Sequence, residues 1–510
     1  MFQVPIYLEG LRTRPLLVFW LAASAQAALW IAVPLLFYSA PPAELAHLLA
    51  IGHEFPVSGN FGPPLAYWLA EIAFRAGGLF GVYVLSQLCV IATYWCVFAV
   101  GRSIVGATHA AMAVLLMVGI AVFAVPTPNF GPPILAMALW AAALLFLWHA
   151  VTEGRPAYWY ALAGAVSLLL MTTDAALILL AALALFVALT ARGRAAIDTR
   201  EAWTAGIVVA VMLFAHVYLL ARGGFDLSPT LERLRDAAMG RANLAAWLRL
   251  ISVLVLGHAG LGVLVVLASG WPRTQLQLVP ALARAHVVPL APTFVIAFAL
   301  VPVLLATIAT VLAGSRQPIG GAAPLLIFSG LGVIMIAGDR IELRHQRLLG
   351  YAWAGLLLVP AIFVPIVMAL LPWTTGTELK VAQPAAAMGR FFADSFARRT
   401  GHPLAVVGGD AQIAELIALA APSRPSVYFA GDPAHSPGIT PQDIRAKGAV
   451  IVWPTLDTDP VPPPDIKAHF PGLVPEVPQS FARPVRGRLP PLLIGWGVIR
   501  PSSEPSAEPR

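Results

Sequence analysis

Residues 348–371 read LLGYAWAGLLLVPAIFVPIVMALL, 24 residues without one charged side chain. Crossing the hydrocarbon of a bilayer takes about 20 consecutive apolar residues, so this run is long enough to span. A backbone in that solvent must satisfy its own N–H and C=O groups, which selects a helix. Working outward, similar runs recur toward the N-terminus at Pro15–Phe37, Phe80–Val100, Thr108–Val125, Ile134–Val151 and Ala157–Met171. They continue at Ala175–Leu189, Ala202–Leu220, Leu248–Ser269, Pro292–Gly314 and Ala323–Gly338. The expectation is a polytopic, all-α membrane bundle of about eleven transmembrane helices over residues 1–372. Composition agrees, since 59% of the residues are hydrophobic and 11% charged, against roughly 25% charged in a soluble chain.

The net charge is +7. The arginines form no basic stripe, which argues against a nucleic-acid partner. They lie in short connectors, at Arg12/Arg14, Arg102, Arg155, Arg192/Arg194/Arg200, Arg273/Arg284 and Arg340/Arg344/Arg347. The positive-inside bias puts these connectors and the N-terminus in the cytoplasm. An odd number of spans then places the C-terminal part outside, in the periplasm of a Gram-negative cell. The first run is longer than a signal-peptide core and is expected to remain as an anchor. Cys89 and Cys96 share one apolar run, two turns apart on one face, too distant to pair with each other. They read as buried thiols.

Past Pro372 the composition changes, and the chain's lysines, Lys380, Lys447 and Lys467, all lie here. PLAVVGGD (403–410), SVYFAGD (426–432) and AVIVWP (449–454) read as strands, with AQIAELIALAA (411–421) and TPQDIRAKG (440–448) as helices. Residues 373–500 are therefore expected to form a small extracytoplasmic α/β domain with a parallel sheet, followed by a disordered tail at 501–510. The Gly408–Gly409–Asp410 turn lacks the spacing of a dinucleotide fingerprint.

Two outer connections exceed a turn, 38–79 and 221–246. The first carries Glu44, His47, His53, Glu54, Glu71 and Arg75, and its periodicity predicts one or two interfacial helices. In the second, Ser228 and Pro229 open a predicted amphipathic helix containing Arg233, within an arginine-rich loop that also holds Arg222, Arg235 and Arg241. An acid at a membrane boundary is by default a functional candidate. Glu44, just beyond the first span, is the candidate catalytic base, against the plainer reading of a solvated residue. Adjacent His53 and Glu54 are candidate ligands for a divalent metal ion, against an exposed polar loop. Asp174 either caps the sixth helix or lines an outward cavity. Arginine forks such as Arg222 suit a phosphate. His149, His216 and His258 read as packing or hydrogen-bonding residues.

EFPVSGNFGPPLAYWLAEIAF (54–74), following a first span and an external acid, resembles the corresponding segment of glycosyltransferase family 39. Further similarities are VPTPNFGPPILAMALWAAALLFL (125–147), ALAGAVSLLLMTTDAALILL (161–180) and RHQRLLGYAWAGLLLVP (344–360). The family includes protein O-mannosyltransferases, lipid A aminoarabinose transferases and lipopolysaccharide-core galacturonosyltransferases. The resemblance implies a membrane glycosyltransferase C-type fold, a polyprenyl-phosphate sugar donor and an inverting transfer on the outer face of the inner membrane. The acceptor would be a glycolipid, glycan or protein. It implies catalytic Glu44, a loop motif of Pro63, Pro64, Tyr67 and Trp68, and a basic pair, Arg344 and Arg347, before the last span. Glu44 stands alone where relatives carry an Asp-Glu pair, and Gly62 replaces the lysine before the two prolines. Asn129 and Asp174 take the positions of an acid near the fourth span and of a Lys or Tyr between the fifth and sixth. Two alternatives stay open: a flippase for a lipid-linked sugar, although no internal repeat is visible, and a degenerate relative acting in binding or assembly.

Overall fold

The computed structural model describes residues 5–57, 61–124, 129–222, 241–269, 281–284, 287–313, 323–343, 345–429, 436, 439–457, 459 and 461–502. Among the described residues each predicted apolar run falls mainly on helix. Pro15–Phe37, Pro132–Glu153, Leu290–Ala313 and Gln346–Thr374 are continuous. At 1.5 Å per residue, the 29-residue last helix is about 44 Å long and crosses the bilayer with length to spare.

The count differs from eleven full spans. Six described helices are long and apolar enough to cross, or seven if the pair Trp247–Gly257 and Ala259–Ser269, bent by 42°, is one span. The other runs form shorter pieces. Thr108–Val125 becomes Ala107–Met117 and Ala121–Ala124, because Gly119 lies backbone to backbone against Gly260, with Leu261 N donating to Gly119 O at 2.8 Å. A Cβ on Gly119 would sit 2.5 Å from Leu261 N. Pro156–Leu170 and Ala176–Leu189 are 15 and 14 residues long, short of the ~30 Å hydrocarbon core at 1.5 Å per residue.

By contacts the chain divides into one unit of Met1–Ile31 with Tyr83–Ala361 and a second of Ala32–Val82 with Ile362–Arg510. The first unit is the helical bundle. Its interior is aromatic, with Phe294 touching Trp148, Phe186, Phe298 and Phe328. Several buried polar groups are paired across the bundle. Tyr94 Oη donates to Gln26 Oε1 at 2.9 Å, and Gln26 Nε2 donates to the Phe123 carbonyl. His258, at the bend, bonds Leu254 O and Ser329 Oγ, as an interhelical hydrogen-bonding residue does. A short antiparallel ladder, β1 (Ala281–Ala283) with β2 (Arg340–Glu342), is closed by Arg284 Nε on Asp339 Oδ1 at 2.8 Å.

The second unit contains a five-stranded sheet. Its strands are β3 (Val406–Gly409), β4 (Ser426–Phe429), β5 (Ala449–Pro454), β6 (Val474–Phe481) and β7 (Leu492–Ile499), in spatial order β4-β3-β5-β7-β6. β3 is parallel to β4 and β5, as predicted; β7 and β6 add antiparallel, so the sheet is mixed. The helices Ala411–Ala420 and Pro441–Lys447 also fall where predicted. Ala385–Thr400 is an additional helix, packed on Ala411–Ala420. Asp410 accepts from Ile413 N at 3.0 Å and so caps the helix at the end of the Gly-Gly turn. Thr440 and Asp443 form a reciprocal capping box. The tail predicted to be disordered, 501–510, lies from 503 onward outside the described residues.

Gly409 has φ +104°, and a Cβ there would lie 2.0 Å from the Val452 carbonyl oxygen. Gly409→Ala is therefore expected to destabilise this unit by about 3 kcal/mol, the sum of a forbidden backbone region and a clash with a neighbouring strand. The check is a lowered melting temperature with early proteolysis of the sheet; wild-type resistance would refute it.

Candidate functional site

The segment after the first span belongs to the second unit. Ser39 N and Ala40 N both donate to Val381 O, at 2.9 and 3.0 Å. The helix Ala43–Gly52 buries Leu45, Ala46, Leu48, Leu49, Ala50 and Ile51 and packs against Ala411–Ala420. Its sequence, AELAHLLAIG, is apolar nearly all round, which explains why most of it is covered by protein. Two of its polar side chains have different fates. His47 Nδ1 lies 2.7 Å from Glu415 Oε1. Glu44, in the first turn, is exposed and has no hydrogen bond or ion pair among the described residues.

Pro63 and Pro64 precede the helix Leu65–Val105, a place where a missing N–H costs nothing. Trp68 N bonds Pro64 O at 3.1 Å. Tyr67 Oη donates to Phe61 O and Trp68 Nε1 to Pro56 O, both at 2.8 Å. The loop motif thus ties Pro56 and Phe61 onto the first helical turns. This helix breaks at Gly77–Gly78, where Gly78 has φ +59°. A 41-residue helix is twice what a bilayer needs, and the predicted span, Phe80–Val100, lies after the break. Residues 65–76 precede that predicted span.

One buried carboxylate gathers charges here. Glu71 is 1% exposed and receives His53 Nδ1 at 3.3 Å and Arg75 Nε at 2.9 Å on one oxygen, and Arg424 Nη2 at 2.8 Å on the other. Arg75 is its i+4 neighbour, which the helix places alongside. Arg424 lies 4.3 Å from the Phe74 ring centroid and Arg75 4.8 Å from that of Phe55. Burial alone would push the Glu71 carboxyl up. The hydrogen bonds from His53 and Arg75 and the charge of Arg424 outweigh it and hold the group below its ordinary value. Two guanidinium groups on one carboxylate leave a positive surplus.

Glu54 turns away from His53 and accepts from the Ser426 hydroxyl. The two take different partners and share no ligand set among the described residues: His53 keeps a right-handed helical backbone at the end of Ala43–Gly52, where adjacent side chains diverge by about 100°. No three His, Cys, Asp or Glu residues gather as metal ligands among the described residues.

The remaining predicted residues belong to the bundle unit. Asp174, between the Pro156–Leu170 and Ala176–Leu189 helices, faces His216 Nε2 at 3.3 Å and does not cap the following helix; Thr173 Oγ1 accepts from Ala175 N instead. Asn129 is half-buried just before Pro132–Glu153, and Arg347 is exposed in the first turn of the last helix. Arg344, the side chain of Arg222 and the predicted helix with Arg233 and Arg235 lie outside the described residues. Sequence reasoning missed the roles of Glu71, Glu415 and Arg424. The i,i+4 spacing of Glu71 and Arg75 was a readable signal; no local pattern marks Arg424.

Burial raises the Glu415 carboxyl above its ordinary 4.5, and the hydrogen bond and charge of His47 offset that only in part. A folded state that binds the proton more tightly is favoured at low pH and penalised above the folded value. Glu415→Gln is therefore expected to raise the melting temperature at about pH 8 and to change little near pH 4. A stabilisation that grew as pH fell would contradict this sign.

A helical membrane bundle combined with a small α/β unit that takes in the segment after the first span is the C-type membrane glycosyltransferase fold. Residues 62–219 match the family model of dolichyl-phosphate-mannose-protein mannosyltransferases. The match begins at the Pro63–Trp68 motif and takes in Asn129 and Asp174. The chain shares its fold with ArnT from Cupriavidus metallidurans, solved bound to undecaprenyl phosphate, at 13% identity, covering 95% of this chain and 99% of that one with a TM-score of 0.52. The apo oligosaccharyltransferase of Archaeoglobus fulgidus aligns at 11% identity over 86% of this chain and 69% of that one, with a TM-score of 0.44. No curated protein sequence matches the chain.

Proposed function

We propose that the chain is an integral-membrane glycosyltransferase that moves a sugar from a polyprenyl-phosphate donor to a glycolipid, polysaccharide or protein of the cell envelope, on the outer face of the inner membrane. The observation that carries this reading is the family match opening at Pro63–Trp68, on a fold that the ArnT structure pairs with undecaprenyl phosphate. The positive-inside bias puts the N-terminus in the cytoplasm and the second unit outside.

In the reaction, the acceptor hydroxyl attacks the anomeric carbon from the face opposite the phosphate. The new C–O bond forms as the bond to phosphate breaks, so the configuration inverts. The leaving phosphate keeps the electron pair, and the acceptor proton passes to a carboxylate, for which Glu44 is the candidate. Cationic groups that hold the leaving phosphate stabilise the charge that develops on it, and Arg222, in the second outer connection, is the candidate. The loop motif sets the first outer segment in place through the Tyr67 and Trp68 hydrogen bonds.

The test is to delete the gene, complement it with wild type, and weigh the envelope glycolipids and glycans. One sugar mass should disappear on deletion and return on complementation. An unchanged profile would overturn the reading in favour of binding, assembly or transport.

A further inference from the structure

The loop joining β6 to β7, residues 482–491, reads ARPVRGRLPP and carries Arg483, Arg486 and Arg488. It is fixed to the end of the last membrane helix. Arg488 N donates to Pro372 O at 2.9 Å. Gly487, at φ +54°, lies so close that a Cβ would come within 2.5 Å of the Pro372 backbone. Around that helix end, Leu370 and Trp373 are 54% and 57% exposed. Exposed Leu beside exposed Trp, at the end of a span, marks the level where hydrocarbon gives way to headgroups.

The three arginines differ. Arg483 is mostly buried, bonds Pro490 O at 2.7 Å and pairs with Glu378, which neutralises it. Arg486 and Arg488 are exposed and make no side-chain hydrogen bond or ion pair among the described residues. A hollow of about 390 Å³ opens here, lined by Ser480, Arg483, Arg486, Leu489 and Pro490. Arg486 lines this hollow beside a hydroxyl and an apolar wall, and Arg488, two residues on and exposed, is tied through its backbone to the end of the last helix.

We propose that this loop binds the headgroup phosphate of an anionic membrane lipid, with Arg486 and Arg488 as the phosphate ligands and Leu489 and Pro490 against the glycerol and upper acyl chain. The guanidinium fork matches phosphate oxygens, and basic residues beside a membrane span are drawn to anionic lipid. Arg483, already paired with Glu378, shapes the wall. The proposal rests on the membrane reading of the last helix and not on the glycosyltransferase reading.

The test is native mass spectrometry of the full chain, purified in neutral detergent and titrated with phosphatidylglycerol or phosphatidylcholine. Wild type should retain phosphatidylglycerol over phosphatidylcholine, and R486Q/R488Q should bind it roughly tenfold more weakly. R486K/R488K, which keeps charge but loses the fork, should fall between. Melting temperatures should match wild type, since both side chains are exposed. Equal retention by wild type and R486Q/R488Q would overturn the proposal. So would full displacement by millimolar inorganic phosphate, which would assign a free-anion site.

Discussion

Glu71→Gln is expected to lower the stability of the second unit by about 3 kcal/mol, because removing one partner of a buried ion pair strands the other. Glu71 is 1% exposed and Arg424 20%, whereas Arg75 is 55% exposed and can turn to water. The cost therefore falls mainly on Arg424, left over the Phe74 ring without its carboxylate. Arg424 also holds φ +48°, a left-handed backbone that an L residue adopts at a cost of about 1–2 kcal/mol, so losing its anchor should loosen the turn before β4. Glu71→Leu combined with Arg424→Leu should recover much of the loss, since buried pairs and apolar replacements are often of similar worth. Acid has a defined effect. The folded carboxyl titrates below its ordinary 4.5, so its stabilisation is complete above the unfolded value and is lost as pH falls through the folded one. The wild-type melting temperature should thus drop steeply below pH 4.5 and that of Glu71→Gln less so. Scanning fluorimetry in detergent reads both. A Glu71→Gln protein melting with wild type at neutral pH would show that the cluster does not hold the unit together.

The membrane helices were legible because an apolar window is a property of the residues in it. The run Ile134–Val151 lies inside the helix Pro132–Glu153, and Ala175–Leu189 matches Ala176–Leu189 almost residue for residue. Where a run breaks was not legible, since the approach of Gly119 to Gly260 joins residues far apart in sequence. The β6–β7 hairpin was hidden for another reason. Pro475 and Pro478 in β6, and Gly495 and Gly497 in β7, look like loop residues. β6 is an edge strand, where proline is tolerated. Gly495 lies against Trp453, whose indole would be 2.1 Å from any Cβ. The site was half legible. The Pro63–Trp68 motif could be read, and its hydrogen bonds give it a local reason. The charge cluster could not, because Arg424 stands 353 residues from Glu71 and only the fold brings it there.

The second large effect is expected at Glu44. In the deletion strain, Glu44→Gln should fail to restore the missing sugar, and the purified variant should turn over about 10²–10⁴-fold more slowly, the usual range for a lost general base. That range is about 3–5 kcal/mol of barrier, each factor of ten being 1.36 kcal/mol. The substitution is chosen because nothing in the fold depends on the charge. Glu44 is exposed, without a hydrogen bond or ion pair among the described residues, and its helix is held by Leu45, Leu48 and Leu49 on the buried side. The melting temperature should therefore stay at the wild-type value, the reverse of what Glu71→Gln does. This contrast separates chemistry from architecture: a carboxylate lost from the reaction leaves a stable, silent protein, whereas one lost from the cluster leaves an unstable one. Glu44→Asp, which keeps a base on a shorter arm, should recover part of the rate. Full restoration of the sugar by Glu44→Gln would remove Glu44 from the mechanism and return the search for the base to Asp174, an acid within the family match, set against His216 in the bundle.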